Sequence, residues 1–253
     1  FENIVWSKII PYLKTVITPK QHGFVEKRST ITNLFSYVNF IIDAFGKGLQ
    51  VHSVYADFSK AFDKVTHSLL LQKLEAYGIN GILLKWFNCY LMGRSQQVKI
   101  GNYYSCIQHV PFGVLQGSIL GPLLFCIFIT DVGFNFNSNY SLFADDLKIY
   151  TSVISSNDVV CLQSDINKLS SWCIANKMTL NVTKCCVVNF SRKVSPLYPS
   201  YTLSGSLMTE NTVIKDLGIY LDVKLTFISH YEYIVNKANK ILRCIKRYCR
   251  DFK

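Results

Sequence analysis

Ser141-Leu-Phe-Ala-Asp-Asp-Leu-Lys-Ile-Tyr150 is the stretch that decides the fold. Read as two short strands joined at Asp145-Asp146, it puts two acids at the tip of a hairpin. An earlier strand, residues 51–56 of Val51-His-Ser-Val-Tyr-Ala-Asp57, leads into a third acid. If the two strands are neighbours, Asp57, Asp145 and Asp146 converge. Like charges a few ångströms apart raise one another's pKa, so such a cluster is stable at neutral pH only when bound cations neutralise it. Ligands that are all oxygen favour Mg²⁺ or Mn²⁺ over zinc. Two such ions about 3.5–4 Å apart can activate an attacking hydroxyl and stabilise a leaving pyrophosphate. Asp also favours solvated turns, and the acids alone leave both readings open.

Outward from these acids, Ile31, Leu34, Val38, Ile41 and Phe45 recur at steps of three and four between Thr30, a cap, and Gly46, a stop, which predicts a helix over 31–45. Beyond Asp57, Ser59 starts a helical pattern through Val65, Leu69, Leu70, Leu74 and Tyr77 to Gly78, and a second helix spans 82–91. Gln97 to Ile107 reads as a hairpin around Gly101-Asn102. A helix starts near Ser118. Another, capped by Asn157 and stopped at Asn176, sets Val159, Leu162, Ile166, Leu169 and Cys173 on one face, and a strand covers 185–190. The Pro-, Ser- and Tyr-rich stretch Val194 to Ser200 is the candidate internal boundary. Short strands are expected near 201–207 and 213–221, then a basic helix over 230–250. On that helix Lys237, Lys240, Arg243, Lys246 or Arg247, and Arg250 oppose Ile234, Ala238, Ile241 and Ile245. This face reads either as a surface for duplex phosphates or as the solvated side of an ordinary amphipathic helix.

The chain has 253 residues, 27 of them basic and 16 acidic, for a net charge of +11, and 49% are apolar. That length and apolar content support a substantial core and exclude intrinsic disorder. Charged residues are only 17% and mostly basic, which points to a polyanionic partner. Mean hydropathy of +0.20 raises a membrane reading. The longest apolar stretch, Ile119 to Ile129, is interrupted by Gly121 and Pro122 and is far shorter than the roughly 20 residues of a spanning helix. No membrane association is expected. Nine cysteines without a CxxC pair or a nearby CxxH argue against a disulfide framework or a zinc site, and read as small buried hydrophobes in a reducing compartment. The N-terminus, Phe1-Glu2-Asn3, carries no signal peptide and begins as a fragment or excised domain would.

Three motifs then narrow the reading. They are Val54-Tyr-Ala-Asp-Phe-Ser-Lys-Ala-Phe-Asp-Lys-Val65, Gly113-Val-Leu-Gln-Gly-Ser-Ile-Leu-Gly-Pro-Leu-Leu-Phe125 and Phe143-Ala-Asp-Asp146. In this order and spacing they resemble motifs A, B and C of reverse transcriptases, and in detail those of non-LTR (LINE-type) retrotransposons. Gln21-His-Gly-Phe-Val-Glu-Lys-Arg-Ser-Thr30 is similar to the fingers motif of that family, Leu180-Asn-Val-Thr-Lys184 to motif D, and Lys215-Asp-Leu-Gly-Ile-Tyr-Leu-Asp222 to the primer grip. Leu115 stands where the family usually has proline.

The resemblance implies an α/β (α+β) right-hand polymerase palm, an antiparallel sheet flanked by helices. Partial fingers would occupy 1–50, the palm 51–193 with a fingers-side insertion at 66–110, the primer grip 194–224, and the start of a thumb helix 225–253. It implies RNA-directed DNA synthesis from an RNA template, a DNA primer and dNTPs, with two Mg²⁺ (or Mn²⁺) ions. By position, Asp57 and Asp145 would be the principal metal ligands, with the Phe58 carbonyl completing the sphere and Asp146 an accessory acid. Phe62 would be the aromatic gate beneath the incoming sugar, with Asp63 a structural hydrogen-bonding residue. Gln116, Gly117 and Ser118 would line the nucleotide and template pocket, Arg28 would pair with the triphosphate, and Lys184 would protonate the departing pyrophosphate. Leu217 and Gly218 of the primer grip, with Lys237, Lys240, Arg243 and Arg247, would contact nucleic acid. The expected location is intracellular, in nucleus and cytoplasm, not secreted. A non-catalytic nucleic-acid-binding remnant of such an element is the alternative, and another palm-type nucleotidyltransferase accounts only for the acids.

Overall fold

The computed structural model describes residues 1–249. Its helices are α1 (Glu2–Val16), α2 (Thr30–Gly46), α3 (His67–Ala76), α4 (Gly81–Leu91), α5 (Leu120–Ile129), α6 (Ser156–Ala175) and α7 (Ile228–Tyr248). The first strands are β1 (Gln50–Ala56), β2 (Ser95–Gln96), β3 (Lys99–Ile100), β4 (Tyr103–Tyr104) and β5 (Gln108–His109). They are followed by β6 (Asn139–Phe143), β7 (Asp146–Val153), β8 (Cys186–Phe190), β9 (Thr202–Leu203), β10 (Ser206–Leu207), β11 (Thr209–Glu210), β12 (Val213–Asp216) and β13 (Ile219–Asp222).

The central sheet has the order β11-β8-β1-β7-β6. β1 runs antiparallel to both neighbours, in register Val54↔Ile149 and Val54↔Val187. Because side chains alternate across a strand, the sheet feeds two cores. Val54, Ala56, Leu147, Ile149 and Val187 face a large cluster shared with α1, α3, α4, α5 and α6. Val51, Tyr150, Val188 and Phe190 face a smaller one with Tyr37 and Ile41 of α2 and Leu221 of β13. Nine α5 residues are buried, and complete burial of a Leu, Ile or Phe contributes about 1.5–3 kcal/mol. The strands expected around both acidic segments are therefore antiparallel neighbours in one sheet covered by helices on both faces; the sheet is mixed only at its edge, where β11 runs parallel to β8.

Several local expectations change. The helix expected from Ser59 is interrupted. Residues 62–64 form a 3-10 turn and α3 starts only at His67, because the carbonyls of Phe62 and Val65 accept from Val114 N and Gly113 N instead of continuing a helix. α2 is capped by Ser29, which makes a reciprocal box with Thr32. α6 is capped by Ser155 with Asp158, not by Asn157. α1 was not anticipated; Pro11 sits inside it, and its buried residues are Ile9 and Leu13.

The stretch Val194 to Ser200 has no helix or strand, yet it does not separate two cores. Leu197 exchanges hydrogen bonds with the Gln50 side chain, and Tyr201 and Leu203 belong to the large cluster. The cysteines divide: Cys126, Cys173, Cys185 and Cys186 are buried, whereas Cys89, Cys106, Cys161, Cys244 and Cys249 are exposed, contrary to the expectation of burial throughout. Arg250, expected on the basic stripe, lies outside the described residues. Among the described residues no helix is long and apolar enough to cross a membrane.

Candidate active site

Past the end of β1 the chain runs beside residues 179–181. Ser59 N donates to Thr179 O and Asn181 N to Asp57 O, both at 2.8 Å. These bonds bracket an isolated antiparallel bridge between Phe58 and Leu180, so the carbonyl of Phe58 itself stays outside the ladder. On the other side of β1, the β6–β7 hairpin closes with Phe143 opposite Asp146, leaving Ala144-Asp145 as a two-residue turn with Ala144 at φ 55°. The turn thus sits one residue earlier than Asp145-Asp146, and Asp146 is the first residue of β7.

Asp57 and Asp145 line one groove of ≈ 400 Å³ together with Phe58, Phe62, Gln116 and Lys184. Asp146 opens instead into an adjoining cavity of ≈ 230 Å³, which it shares with Asp57, Lys184 and Leu217. Successive positions of the hairpin face different ways, so the three acids do not meet at a single point. Among the described residues no group of three or more His, Cys, Asp or Glu side chains is gathered closely enough to hold a metal ion. The donors present are nevertheless all oxygen, and the nearby cations do not offset the burial and mutual repulsion of Asp145 and Asp146. Burial raises the Asp145 carboxyl above its usual range and the Asp57 charge adds to the rise. Asp146 is raised to about 6 by desolvation, then by the Asp145 and Asp216 charges. Lys184 Nζ, 3.6 Å from Asp57 Oδ2, is a facing cation. A hard divalent cation fits this donor set.

The remaining expected residues divide. Phe62 is half-buried, stacks on Phe125 with centroids 4.3 Å apart and meets Phe24 edge-on. Gln116 Nε2 donates to Asp63 Oδ1 at 2.9 Å, which gives Asp63 the hydrogen-bonding part expected of it. Gly117 is exposed at φ 84°, a left-handed conformation that favours glycine. Ser118 does not point its hydroxyl outward: Oγ donates to Leu115 O and accepts from Gly121 N, closing the turn into α5. Arg28 is not brought to the groove. Its Nη1 donates to the carbonyls of Pro19 and Gln21, so it fastens a loop. Leu217 and Gly218, at φ 44° and 95°, form the two-residue turn of the β12–β13 hairpin. The exposed basic residues of α7 line neither cavity; α7 packs against β13 through Tyr220 with His230 and Tyr233.

Four buried polar residues near the acids carry no role in the sequence reading. Gln21, Asn33, Lys148 and Asp216 are at most 6% exposed. Lys148 offered one signal, a lone charge inside the apolar strand Leu147-Lys-Ile-Tyr150. Gln21 and Asp216 lie inside the quoted motifs, but nothing in their spacing marks them as buried.

Residues 2–221 match the family described as Reverse transcriptase (RNA-dependent DNA polymerase). The chain is 30% identical over 243 residues to the RNA-directed DNA polymerase from mobile element jockey of Drosophila funebris, covering 90% of this chain and 26% of that protein. It is 28% identical over 233 residues to the probable RNA-directed DNA polymerase from transposon BS of Drosophila melanogaster, covering 86% and 25%. The chain therefore spans about a quarter of the length of these relatives. Among solved structures, apo telomerase from Candida tropicalis, truncated from its C-terminal domain, shares the fold with a TM-score of 0.63 at 13% identity, over 89% of this chain and 44% of that one. The fold is thus the palm-type polymerase fold, and the chain belongs to the reverse transcriptase family, as a domain of the kind found in non-LTR retrotransposons.

Proposed function

We propose that this chain carries out RNA-directed DNA synthesis, extending the 3′-hydroxyl of a DNA primer with dNTPs on an RNA template. The observation that carries the reading is that Asp57 and Asp145, from segments distant in sequence, line one groove with Gln116 and Lys184. Next to them, Leu217 of the β12–β13 turn lines the cavity into which Asp146 opens. Members of this family use divalent metal ions. We assign two Mg²⁺ ions, replaceable by Mn²⁺, to the Asp57 and Asp145 carboxylates and the Phe58 carbonyl, where they would lower the pKa of the attacking hydroxyl and offset the charge on the leaving pyrophosphate.

The chain's own residues supply the rest. Asp57 and Asp145 provide the negative charge that attracts the cations. Phe62, backed by Phe125, forms an apolar floor against which a sugar without a 2′-hydroxyl packs. Gln116, oriented by Asp63, borders the nucleotide position, and the exposed Gly117 lets backbone approach it. Lys184, an ammonium beside Asp57, is placed to give a proton to departing pyrophosphate. Leu217 and Gly218 border the primer end, and Lys237, Lys240, Arg243 and Arg247 of α7 meet the duplex phosphates. In this reading 1–50 are partial fingers, 51–193 the palm, 194–224 the primer grip and 225–253 the start of a thumb, and the work is done inside the cell, in nucleus and cytoplasm.

Primer extension on an annealed RNA template with dNTPs and Mg²⁺, run with the chain and its Asp145→Asn variant side by side, tests the reading. Incorporation by the first and none by the second is expected. Binding of template and primer with no incorporation by either would favour a non-catalytic nucleic-acid-binding remnant.

A further inference from the structure

Gln21 is fully buried, and its side-chain amide makes three hydrogen bonds, two of them to a single residue. Oε1 accepts from Ala144 N at 2.8 Å, and Nε2 donates to Ala144 O at 3.1 Å. Oε1 also accepts from Gly23 N at 2.8 Å. The residue so gripped is the first of the two-residue turn that carries Asp145, and its φ of 55° lies in the left-handed region, which costs a residue with a Cβ about 1–2 kcal/mol. Ala144 O and Asp145 N belong to one rigid peptide plane. Contacts on both N and O of Ala144 therefore fix its two dihedral angles and the direction in which the chain enters Asp145.

The grip is itself held rigid. His22 N donates to Leu142 O at 2.8 Å and Leu142 N to Lys20 O at 3.0 Å, so the segment lies along β6. Arg28 fastens the carbonyl of Gln21. A Cβ at Gly23 would come within 2.3 Å of Ala144 N, so no side chain can stand between this loop and the turn.

We propose that Gln21 is a positioning residue for Asp145: by holding Ala144 in its left-handed conformation it sets the orientation of the carboxylate for cation binding. The proposal deepens the polymerase reading and rests on it for its consequence in catalysis. Gln21 touches neither substrate nor Asp145 and acts only through the backbone of the turn. The strain at Ala144 makes the idea testable, because glycine adopts this conformation without the Cβ penalty.

Gln21→Met keeps the side chain's length and volume while removing all three hydrogen bonds. Its amide hydrogen exchange across residues 142–147 is expected to quicken about tenfold or more while α5 and α6 keep their protection. Mn²⁺ affinity, titrated on the chain alone, is expected to fall about tenfold, the usual scale for losing support behind a ligand. In primer extension kcat drops and the KM for dNTP stays within about twofold, since the defect is in geometry rather than in nucleotide binding. Adding Ala144→Gly to Gln21→Met should recover a large part of the Mn²⁺ affinity. Unchanged exchange and Mn²⁺ affinity in Gln21→Met would overturn the proposal, and so would a loss that Ala144→Gly leaves in place. Should Gln21→Met not fold, Gln21→Glu, which keeps the acceptor and removes the donor to Ala144 O, carries the same comparison. A chain that extends no primer even unmutated would count against the polymerase reading, and the exchange measurement would still decide the role of Gln21.

Discussion

Lys148 Nζ lies 2.9 and 2.7 Å from the two carboxylate oxygens of Asp216, and both side chains are almost wholly buried. The same ammonium donates to Asn33 Oδ1 at 2.7 Å, and Tyr55 OH donates to Asp216 Oδ2 at 3.3 Å. The pair fastens β12 to β7 two residues from Asp146 and brings α2 into the same network. Removing one partner leaves an uncompensated buried charge, so Asp216→Ala is expected to cost about 3–5 kcal/mol in urea unfolding. The double replacement Lys148→Met with Asp216→Leu should cost much less. If the single variant unfolds at the same urea concentration as the parent chain, the pair does not hold the hairpin.

Asp146 keeps its proton up to about pH 6 in the folded chain, against a usual 3.8. Between those values the folded state binds more protons than the unfolded one. Stability measured without divalent cations should therefore fall as pH rises through that window and return as pH drops. Asp146→Asn should flatten the dependence, and Mg²⁺ should raise the melting temperature more at pH 7 than at pH 5. Melting curves across this range in chelator, for both chains, check the sign.

Phe62 stacks on Phe125 and meets Phe24 at its edge. Phe62→Ala would open the floor of the groove beneath the sugar position. Discrimination between dNTP and rNTP should fall by about 10–200-fold, the range for contacts of 1–3 kcal/mol, with a stability loss of about 2 kcal/mol because the ring is only half-buried. Paired kcat/KM measurements with both nucleotides would expose a purely structural Phe62 as equal losses on each.

On α7, Lys240 and Arg243 are exposed and free of acidic partners among the described residues. Replacing both with Gln should weaken duplex binding irrespective of sequence and lower the salt dependence by about 0.9 per lost phosphate contact. An unchanged slope of affinity against salt would return α7 to the role of a solvated amphipathic helix.

What the sequence made legible was set by local pattern. The β6–β7 hairpin, β1 and α2 follow from apolar periodicity and from strong stops such as Gly46, and the register that brings Asp57 near Asp145 follows once β1 and β7 pair. What stayed hidden depended on partners far along the chain. The 3-10 turn at Phe62 exists because Gly113 and Val114 take its carbonyls, and no pattern within 59–78 carries that information. Ala144 rather than Asp146 occupies the turn because Gln21 reaches it across more than a hundred residues of sequence. Arg28 looked like an anion ligand by residue type. Its donors instead satisfy loop carbonyls, a choice made by tertiary geometry.

The strand order has a consequence for how the protein is made. β1 is central, yet both of its neighbours, β7 and β8, leave the ribosome only after α3, α4, the small hairpins of residues 95–109 and α5 have been synthesised. At about 5–20 residues per second, the two edges of β1 wait several seconds without hydrogen-bond partners. Until β7 arrives, Asp57 has no acidic neighbour across the sheet. The groove therefore forms only after β7 has been made, and a ribosome-stalled chain ending before Asp145 would lack it altogether. Slow refolding and a tendency to self-associate through β1 while it waits are what this topology prescribes.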